Sequence, residues 1–472
     1  MRLQKIHSLF VMCLLVSSLL SGIACRDTYG LTVEEEKQMG KKILLELDKR
    51  LEIIRDPIET EFLDTIGQSL VAEVGPTPYQ FRFYFIKGQE PNAFAIPGGY
   101  IFVTTGLVIM AQNVDEVAGV LSHEIAHVTM RHHSQMIDRS KRLSIASLAG
   151  MIAGVLLGGG GAASEAAAAT AMATGEALML KYSRENERDA DQNSLRYLVK
   201  AGYDPQGLVS FLTKIYKYSL TAGTKVPTYL NTHPATEDRI SLLETLIRME
   251  PEKPSSLRRT ANFKRIQTRA FVDEREPHVA VAFFESILKS NPEDVDGLIG
   301  LGLAFQKGGR LDRSIESFQK ASVLLPNDPD LLRDLGMTYF LSGRLDPAIE
   351  TLDRARSLSG AGESVRQRDP MIPYYLGRAY QEKGEFPKAL ALLRSAQKEM
   401  PEFAEVYLNI GSVYGRMGNK GLSHFYFAKH FKLRGDRNNA LLHFKTALTW
   451  LERRSPEWEE AEREIRDLSR PK

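Results

Sequence analysis

Two cysteines and two tryptophans are all that a chain of 472 residues contains of either type. Both cysteines, Cys13 and Cys25, fall within the first 25 residues. Cys13 is expected to leave with a leader, so no intrachain disulfide can staple the mature protein, and stability must come from elsewhere, burial first. An excess of charge is missing too: 61 basic against 59 acidic side chains give a formal net charge of +2. That rules out a basic field of the kind that attracts nucleic acid, and no interleaved aromatic and basic residues replace it. At the N-terminus the apolar run Leu9 to Leu20 is shorter than the roughly 20 residues that span a bilayer.

What is present reads as globular. Apolar residues make up 43% and charged residues 25%, and the length calls for at least two domains. Arg2 and Lys5 precede the apolar run, which ends in Ser21-Gly22-Ile23-Ala24-Cys25, the order of a secretory signal. Export is therefore predicted. Ile23-Ala24-Cys25 is similar to a lipoprotein cleavage box, which makes Cys25 a candidate for lipidation. Gly22 stands where Leu is usual, so plain cleavage near Ala24 is the alternative.

The most informative stretch is Leu121-Ser122-His123-Glu124-Ile125-Ala126-His127. It lies in a segment, Val114 to Met130, with the apolar spacing of a buried helix. On a helix, i and i+4 share a face, so His123 and His127 can aim at one metal ion while Glu124 sits beside it. That suits a general base that takes a proton from the attacking water. The plainer alternative is two core histidines with separate hydrogen-bond partners.

Around this helix the pattern is mixed. Leu31 to Val74 carries helical periodicity in two runs split by Pro57, and Pro76-Thr77-Pro78 ends it. Tyr79 to Phe85 alternates as a strand, and Tyr100 to Thr105 is a second, entered through Pro97-Gly98-Gly99. Two or three strands would form a small sheet beside the site, whose edge is suited to adding a peptide as a further strand or to roofing the core. Ser144 to Gly161 and the Ala-rich stretch to Met179 are expected to form a lid or re-entrant loop. A membrane-contacting hairpin is the alternative, weakened by Gly158 to Gly161 and by Glu165 and Glu176.

A third protein ligand has two candidates. His133 has the spacing of a third histidine, but that pattern needs a helix-breaking Gly where Met130 stands. His132 and His133 are instead expected to cap or solvate the helix end. Glu187 and Asp191 open another helical segment at i and i+4, where Glu187 can ligate and Asp191 can hold a ligand histidine from behind; a solvated charged face is the bland reading. His233, in Asn231-Thr232-His233-Pro234, is kept out of helix by the proline and can project into a cleft.

His-Glu-x-x-His, Glu187-x-x-x-Asp191, Asn92-Ala93-Phe94-Ala95-x-Pro97-Gly98-Gly99 and Thr232-His233-Pro234-x-Thr236-x-x-Arg239 together resemble the HtpX-like gluzincin metallopeptidases. The resemblance runs from about Leu31 to Met249 in the family's order. It implies that His123, His127 and Glu187 bind one zinc ion and that Glu124 is the base. It also implies that His233 is a reversible fourth ligand that holds the protease latent. Arg239, Asn92 and Phe94 are candidate oxyanion or substrate contacts, Arg239 together with His233. The family's exported members imply quality control of outer-membrane assembly, with the β-barrel insertion machinery as a partner.

Beyond about Ala261 the chain repeats itself. Gly302-x-x-Phe305, Gly336-x-x-Tyr339, Gly377-x-x-Tyr380 and Gly411-x-x-Tyr414 recur at intervals of 34, 41 and 34 residues. Ser314, Ala348 and Ala389, then Phe318, Leu352 and Leu393, then Ala321, Ala355 and Ala396 follow three of these glycines at fixed offsets. This is the tetratricopeptide period, with small residues where paired helices approach. Ala428, Phe431, Ala440, Phe444 and Ala447 suggest a last unit whose register shifts near Gly421.

The expected architecture is therefore mainly α with a small β-sheet: a leader over 1–25, a gluzincin-type metallopeptidase domain over 26–255, and an α-solenoid of about five repeats over 256–472. The expected function is an exported zinc endopeptidase acting on misfolded or stalled envelope proteins recruited by the repeats. The alternative is a chaperone or interaction protein in which His233 closes a structural zinc shell.

Overall fold

The computed structural model describes residues 31–133, 145–156, 182–221, 228–234, 236–249, 263–359 and 369–470. The leader, Cys25 and the Gly- and Ala-rich stretch after Leu156 lie outside the described residues. Among the described residues no helix is long and apolar enough to cross a membrane.

Helix α1 (Val33–Leu47) opens on a capping box in which Thr32 and Glu35 satisfy each other's backbone amides. Helix α2 (Pro57–Val71) is capped by Asp56, with proline at its first position. Between and after them run β1 (Ile53–Ile54), β2 (Arg82–Ile86), β3 (Ala93–Ile96) and β4 (Tyr100–Thr104). The sheet order is β1-β2-β4-β3, with β2 and β4 parallel and the other pairs antiparallel. The first main strand begins three residues later than the alternation from Tyr79 suggested, and the Asn92 to Ile96 stretch adds β3 at the sheet edge.

Period-two alternation gives this sheet two cores. Ala93, Ala95, Ile101 and Val103 pack toward α4 (Val114–Thr129), which follows the short α3 (Thr105–Met110). Phe94, Ile96 and Phe102 face the other way, onto α1 and α5 (Ile145–Leu156). Helix α5 occupies part of the expected lid, with Ala149, Ile152 and Ala153 buried under the sheet. Behind α4 lie α6 (Arg184–Ala201), α7 (Gln206–Thr221), α8 (Thr228–Thr232) and α9 (Glu237–Met249). A Cβ on Gly119 would lie 2.7 Å from the Leu208 backbone, so glycine is what lets α4 and α7 touch.

Helix α10 (Phe263–Glu274) belongs to both halves of the molecule. Ile266 and Ala270 join the core around α4, and Gln267 donates to the carbonyls of Val108 at 3.0 Å and Ala111 at 2.7 Å. From α10 onward the chain is a solenoid of helical pairs, Val295–Lys307 with Leu311–Leu324, Pro329–Leu341 with Leu345–Ser359, and Met371–Glu382 with Phe386–Glu399. The repeated glycines sit where partner side chains press in: a Cβ on Gly302 would meet the Phe318 ring at 2.6 Å, and one on Gly336 would meet Leu352 at 2.6 Å. The register shifts by half a unit near Gly421, as the sequence suggested: the helix Lys420–Leu433 packs back on Ala404–Arg416 and equally forward on Arg437–Leu448, with Ala440, Phe444 and Ala447 buried. Phe427 packs on Gly411 at the offset that Phe318 keeps from Gly302. Arg437–Leu448 and Pro456–Ser469 follow.

Ion pairs fasten the two halves. Arg265 Nε is 2.9 Å from Asp296, and Arg269 pairs with Asp334. Arg333, 1% exposed, grips Asp56 at the head of α2 with two bonds of 2.9 and 2.8 Å, and also bonds Asp334 and Asp369.

Candidate metal centre

Four side chains converge between α4, α6 and the turn after α8. His123, His127, Glu187 and His233 are all buried, and one donor atom from each lies within 4.8 Å of the others. His123 and His127 come from one face of α4, as their spacing requires. Their Nε2 atoms are 3.0 Å apart, and each is 3.4 Å from a Glu187 oxygen. His233 Nδ1 is 3.1 Å from Glu187 Oε1, and its Nε2 is 3.4 Å from Glu124 Oε1. Ligands bound tetrahedrally at 2.0–2.1 Å would stand roughly 3.3 Å apart, so these spacings fit a zinc-sized ion.

Electrostatics agree with a cation here. His123 turns Nδ1 to Asp191 Oδ1 at 3.1 Å, which leaves the Nε2 lone pair of the neutral ring facing the centre. Burial opposes charge on His123, yet Asp191 and Glu187 outweigh it and raise its pKa to about 9. The pocket thus favours positive charge at this point. Burial alone would raise Glu187 and Asp191, but the Arg239 guanidinium holds both below the usual carboxylate range. Glu124 goes the other way: burial lifts its carboxyl more than His233 and His123 lower it. Neither Glu124 oxygen has a hydrogen bond of normal geometry, as expected of a group whose partner is substrate.

The other expected contacts separate. Asp191 stands behind His123. Arg239 is buried and occupied: Nε and one terminal nitrogen bond Asp191 at 2.9 and 2.8 Å, the other bonds the Pro234 carbonyl at 2.9 Å and pairs with Glu187. Asn92 is fully buried, with both amide atoms unpartnered. Phe94 is stacked on Phe102, centroids 4.7 Å apart, on the sheet face turned away from α4. His132 and His133 do not solvate the helix end; they are 2% and 4% exposed. The chain reverses at Arg131, whose φ is +58°, and folds them back under His127.

Two tyrosines had no signal in the sequence. Tyr229 stacks on His233 at 4.8 Å and 20°, and Tyr182 lies 3.9 Å from the His127 ring and 5.0 Å from His233.

Comparison with known proteins points the same way. The profile of peptidase family M48 matches residues 57–247, and tetratricopeptide profiles match 267–329 and 304–363. A putative beta-barrel assembly-enhancing protease of Vibrio cholerae is 34% identical over 215 residues, 45% of this chain and 44% of that protein. The beta-barrel assembly-enhancing protease of Escherichia coli K12 is 29% identical over 45% of this chain and 43% of its own length. The mitochondrial metalloendopeptidase OMA1 of Schizosaccharomyces pombe is 26% identical over 45% of this chain and 61% of that one. The matched stretch thus spans less than half of each bacterial relative. A crystal structure of MamA covers 44% of this chain at 23% identity and a TM-score of 0.28, too loose to carry an argument. The family is one of metallopeptidases, and it implies a metal ion at the donors described above. Residues 57–247 thus carry the likeness to peptidase family M48, and tetratricopeptide repeats follow them.

Proposed function

We propose that the chain is an exported zinc-dependent endopeptidase acting on misfolded or stalled envelope proteins. The observation that carries this reading is the buried set His123, His127 and Glu187 with the Glu124 carboxylate beside it, its oxygens free of hydrogen bonds of normal geometry. His123, His127 and Glu187 would hold the ion, with His233 as a displaceable fourth donor. Bound there, zinc supplies Lewis acidity toward a carbonyl and lowers the pKa of water.

The protein's own groups do the rest. Glu124 accepts the proton of the attacking water and passes it to the leaving amine; its upward-shifted carboxyl makes it a base matched to that task. We assign Asp191 and Arg239 to holding His123 and Glu187 in place, in preference to an oxyanion role for Arg239, because its donors are already committed. Asn92, with a free amide at the head of β3, remains the better substrate contact. Edge strand β3 runs beside α4 and can take a peptide as an added strand.

Names of the bacterial relatives support a substrate drawn from outer-membrane assembly, with the repeats recruiting clients or the β-barrel insertion machinery. Periplasmic location, a lipid on Cys25 and the domain limits at about 25 and 255 belong to the same proposal.

The second reading is a chaperone with a closed structural site, favoured by the close fit of His233 to Glu187. Metal content and casein cleavage decide between them, measured on the mature chain, Glu124→Gln and His233→Ala. We expect about one zinc per chain, cleavage lost in Glu124→Gln and raised in His233→Ala. Bound zinc without cleavage in any of the three favours the chaperone, and absence of metal removes the site.

A further inference from the structure

The two histidines of α4 are held by different chemistry. His123 has a carboxylate behind it. His127, which presents Nε2 to the centre, turns its Nδ1 to another histidine: Nδ1 of His132 is 3.1 Å away, the rings are 5.0 Å apart and 75° inclined, and both are buried. With no place for an ion between them, two ring nitrogens at that distance, unlike the Nε2 pair that faces the centre, share one hydrogen. A ligating His127 keeps Nε2 bare, so its proton is on Nδ1 and His132 accepts it. Given the metal centre proposed above, we infer that His132 is a positioning residue, fixing the tautomer and ring plane of His127 where a carboxylate or carbonyl is usual.

The backbone is bent to bring it there. On a continuing helix, residue 132 would point roughly 140° away from His127. Helix α4 stops at Thr129, and Arg131 takes a left-handed conformation that a non-glycine residue adopts only at a cost. Its side chain offsets that cost. Arg131 Nε bonds Glu36 Oε1 at 2.9 Å, its terminal nitrogen reaches Glu36 and the Leu31 carbonyl, and Tyr79 also bonds Glu36, which is 3% exposed. Helix α1 therefore straps down the turn that carries His132. Tyr182 completes the clamp: its ring lies against His127 and its hydroxyl is 2.6 Å from His133 Nε2.

The test uses the full mature chain and three readouts: zinc loss to a chromophoric chelator, the visible spectrum of the cobalt-substituted protein, and casein cleavage. His132→Leu removes the acceptor, His132→Asn keeps an amide oxygen near the Nδ1 position, and Arg131→Gly keeps the left-handed turn without the strap. We expect His132→Leu to lose zinc 10–100-fold faster with an altered cobalt spectrum, and His132→Asn to stay within about threefold of wild type. Arg131→Gly should fall between them. Wild-type zinc retention and cobalt spectrum in His132→Leu, while Glu124→Gln still abolishes cleavage, would overturn the role of His132 and leave the protease standing. Equal loss in the Asn and Leu variants would overturn it too, reducing His132 to packing; where the Leu variant does not fold, the folded Asn variant decides, and tenfold or faster zinc loss from it overturns the role. A wild-type chain without zinc would sink the centre and the inference together.

Discussion

The joint between solenoid and peptidase domain can be probed through Arg333 and Asp56. Arg333 is fully buried and forks onto Asp56, whose side chain keeps 27% of its surface in solvent. Burial raises the Asp56 carboxyl, but Arg333 and Arg269 outweigh it and bring its pKa from 3.8 to about 2. At 1.36 kcal/mol per pH unit, that is about 2 kcal/mol of stability at pH 7. Truncating only Arg333, to Met, also leaves the part-buried Asp369 without its cation and Asp334 with Arg269 alone, so the single variant should lose about 3–5 kcal/mol. Asp56→Asn keeps an oxygen for the α2 cap. A double-mutant cycle over Arg333→Met and Asp56→Asn, followed by urea unfolding in far-UV circular dichroism, isolates the pair; we expect a coupling of about 2 kcal/mol at pH 7.

The pH dependence has a definite sign. A carboxylate depressed in the folded state contributes fully above its unfolded pKa near 4 and loses that contribution as pH falls toward 2. The coupling should therefore fall to about half by pH 3. Glu59, Asp273 and Asp369 face the same cluster with pKa values raised, chiefly by burial. They act oppositely, favouring the fold below their unfolded values and costing stability as pH rises through the folded ones, so overall acid sensitivity is flatter than the coupling itself. A coupling below about 0.5 kcal/mol at pH 7, or one unchanged at pH 3, would refute the assignment of the joint to this pair.

Three further outcomes follow from the geometry. Asp191→Asn should weaken zinc binding 10–100-fold in chelator competition, because His123 loses a carboxylate and Arg239 keeps only Glu187. Tyr229→Leu removes the ring stacked on His233 and should raise casein cleavage toward the level of His233→Ala, with zinc content unchanged. Gly302→Ala forces a Cβ against the Phe318 ring and should destabilise the solenoid by about 1–3 kcal/mol in urea unfolding, partly restored by adding Phe318→Leu.

Legibility in the sequence followed the range over which each constraint acts. His123 and His127 were readable because one helical turn imposes both the metal's geometry and the spacing. The repeat glycines were readable because the same contact recurs: Gly302 meets Phe318 as Gly336 meets Leu352. The same offset holds for Gly411 and Phe427 and again, half a unit on, for the buried pair Ala428 and Phe444. Within Asn92-Ala93-Phe94-Ala95 the motif looked like one functional unit, yet a strand sends neighbours to opposite faces, so Ala95 looks toward α4 while Phe94 serves the other core. Glu187 was ambiguous between ligand and solvated charge until resemblance weighed in, because its burial depends on Arg239, 52 residues downstream. Asp56 and Arg333, 277 residues apart, share no pattern at all. His132 was hidden for a subtler reason. Its contact with His127 exists only because a non-glycine residue is held left-handed by Glu36 from another helix, and a local pattern that ends the helix near Met130 does not say which way the chain then turns. Where tertiary ion pairs hold a backbone in a conformation its own residue disfavours, local sequence cannot announce it, and function can be built on it.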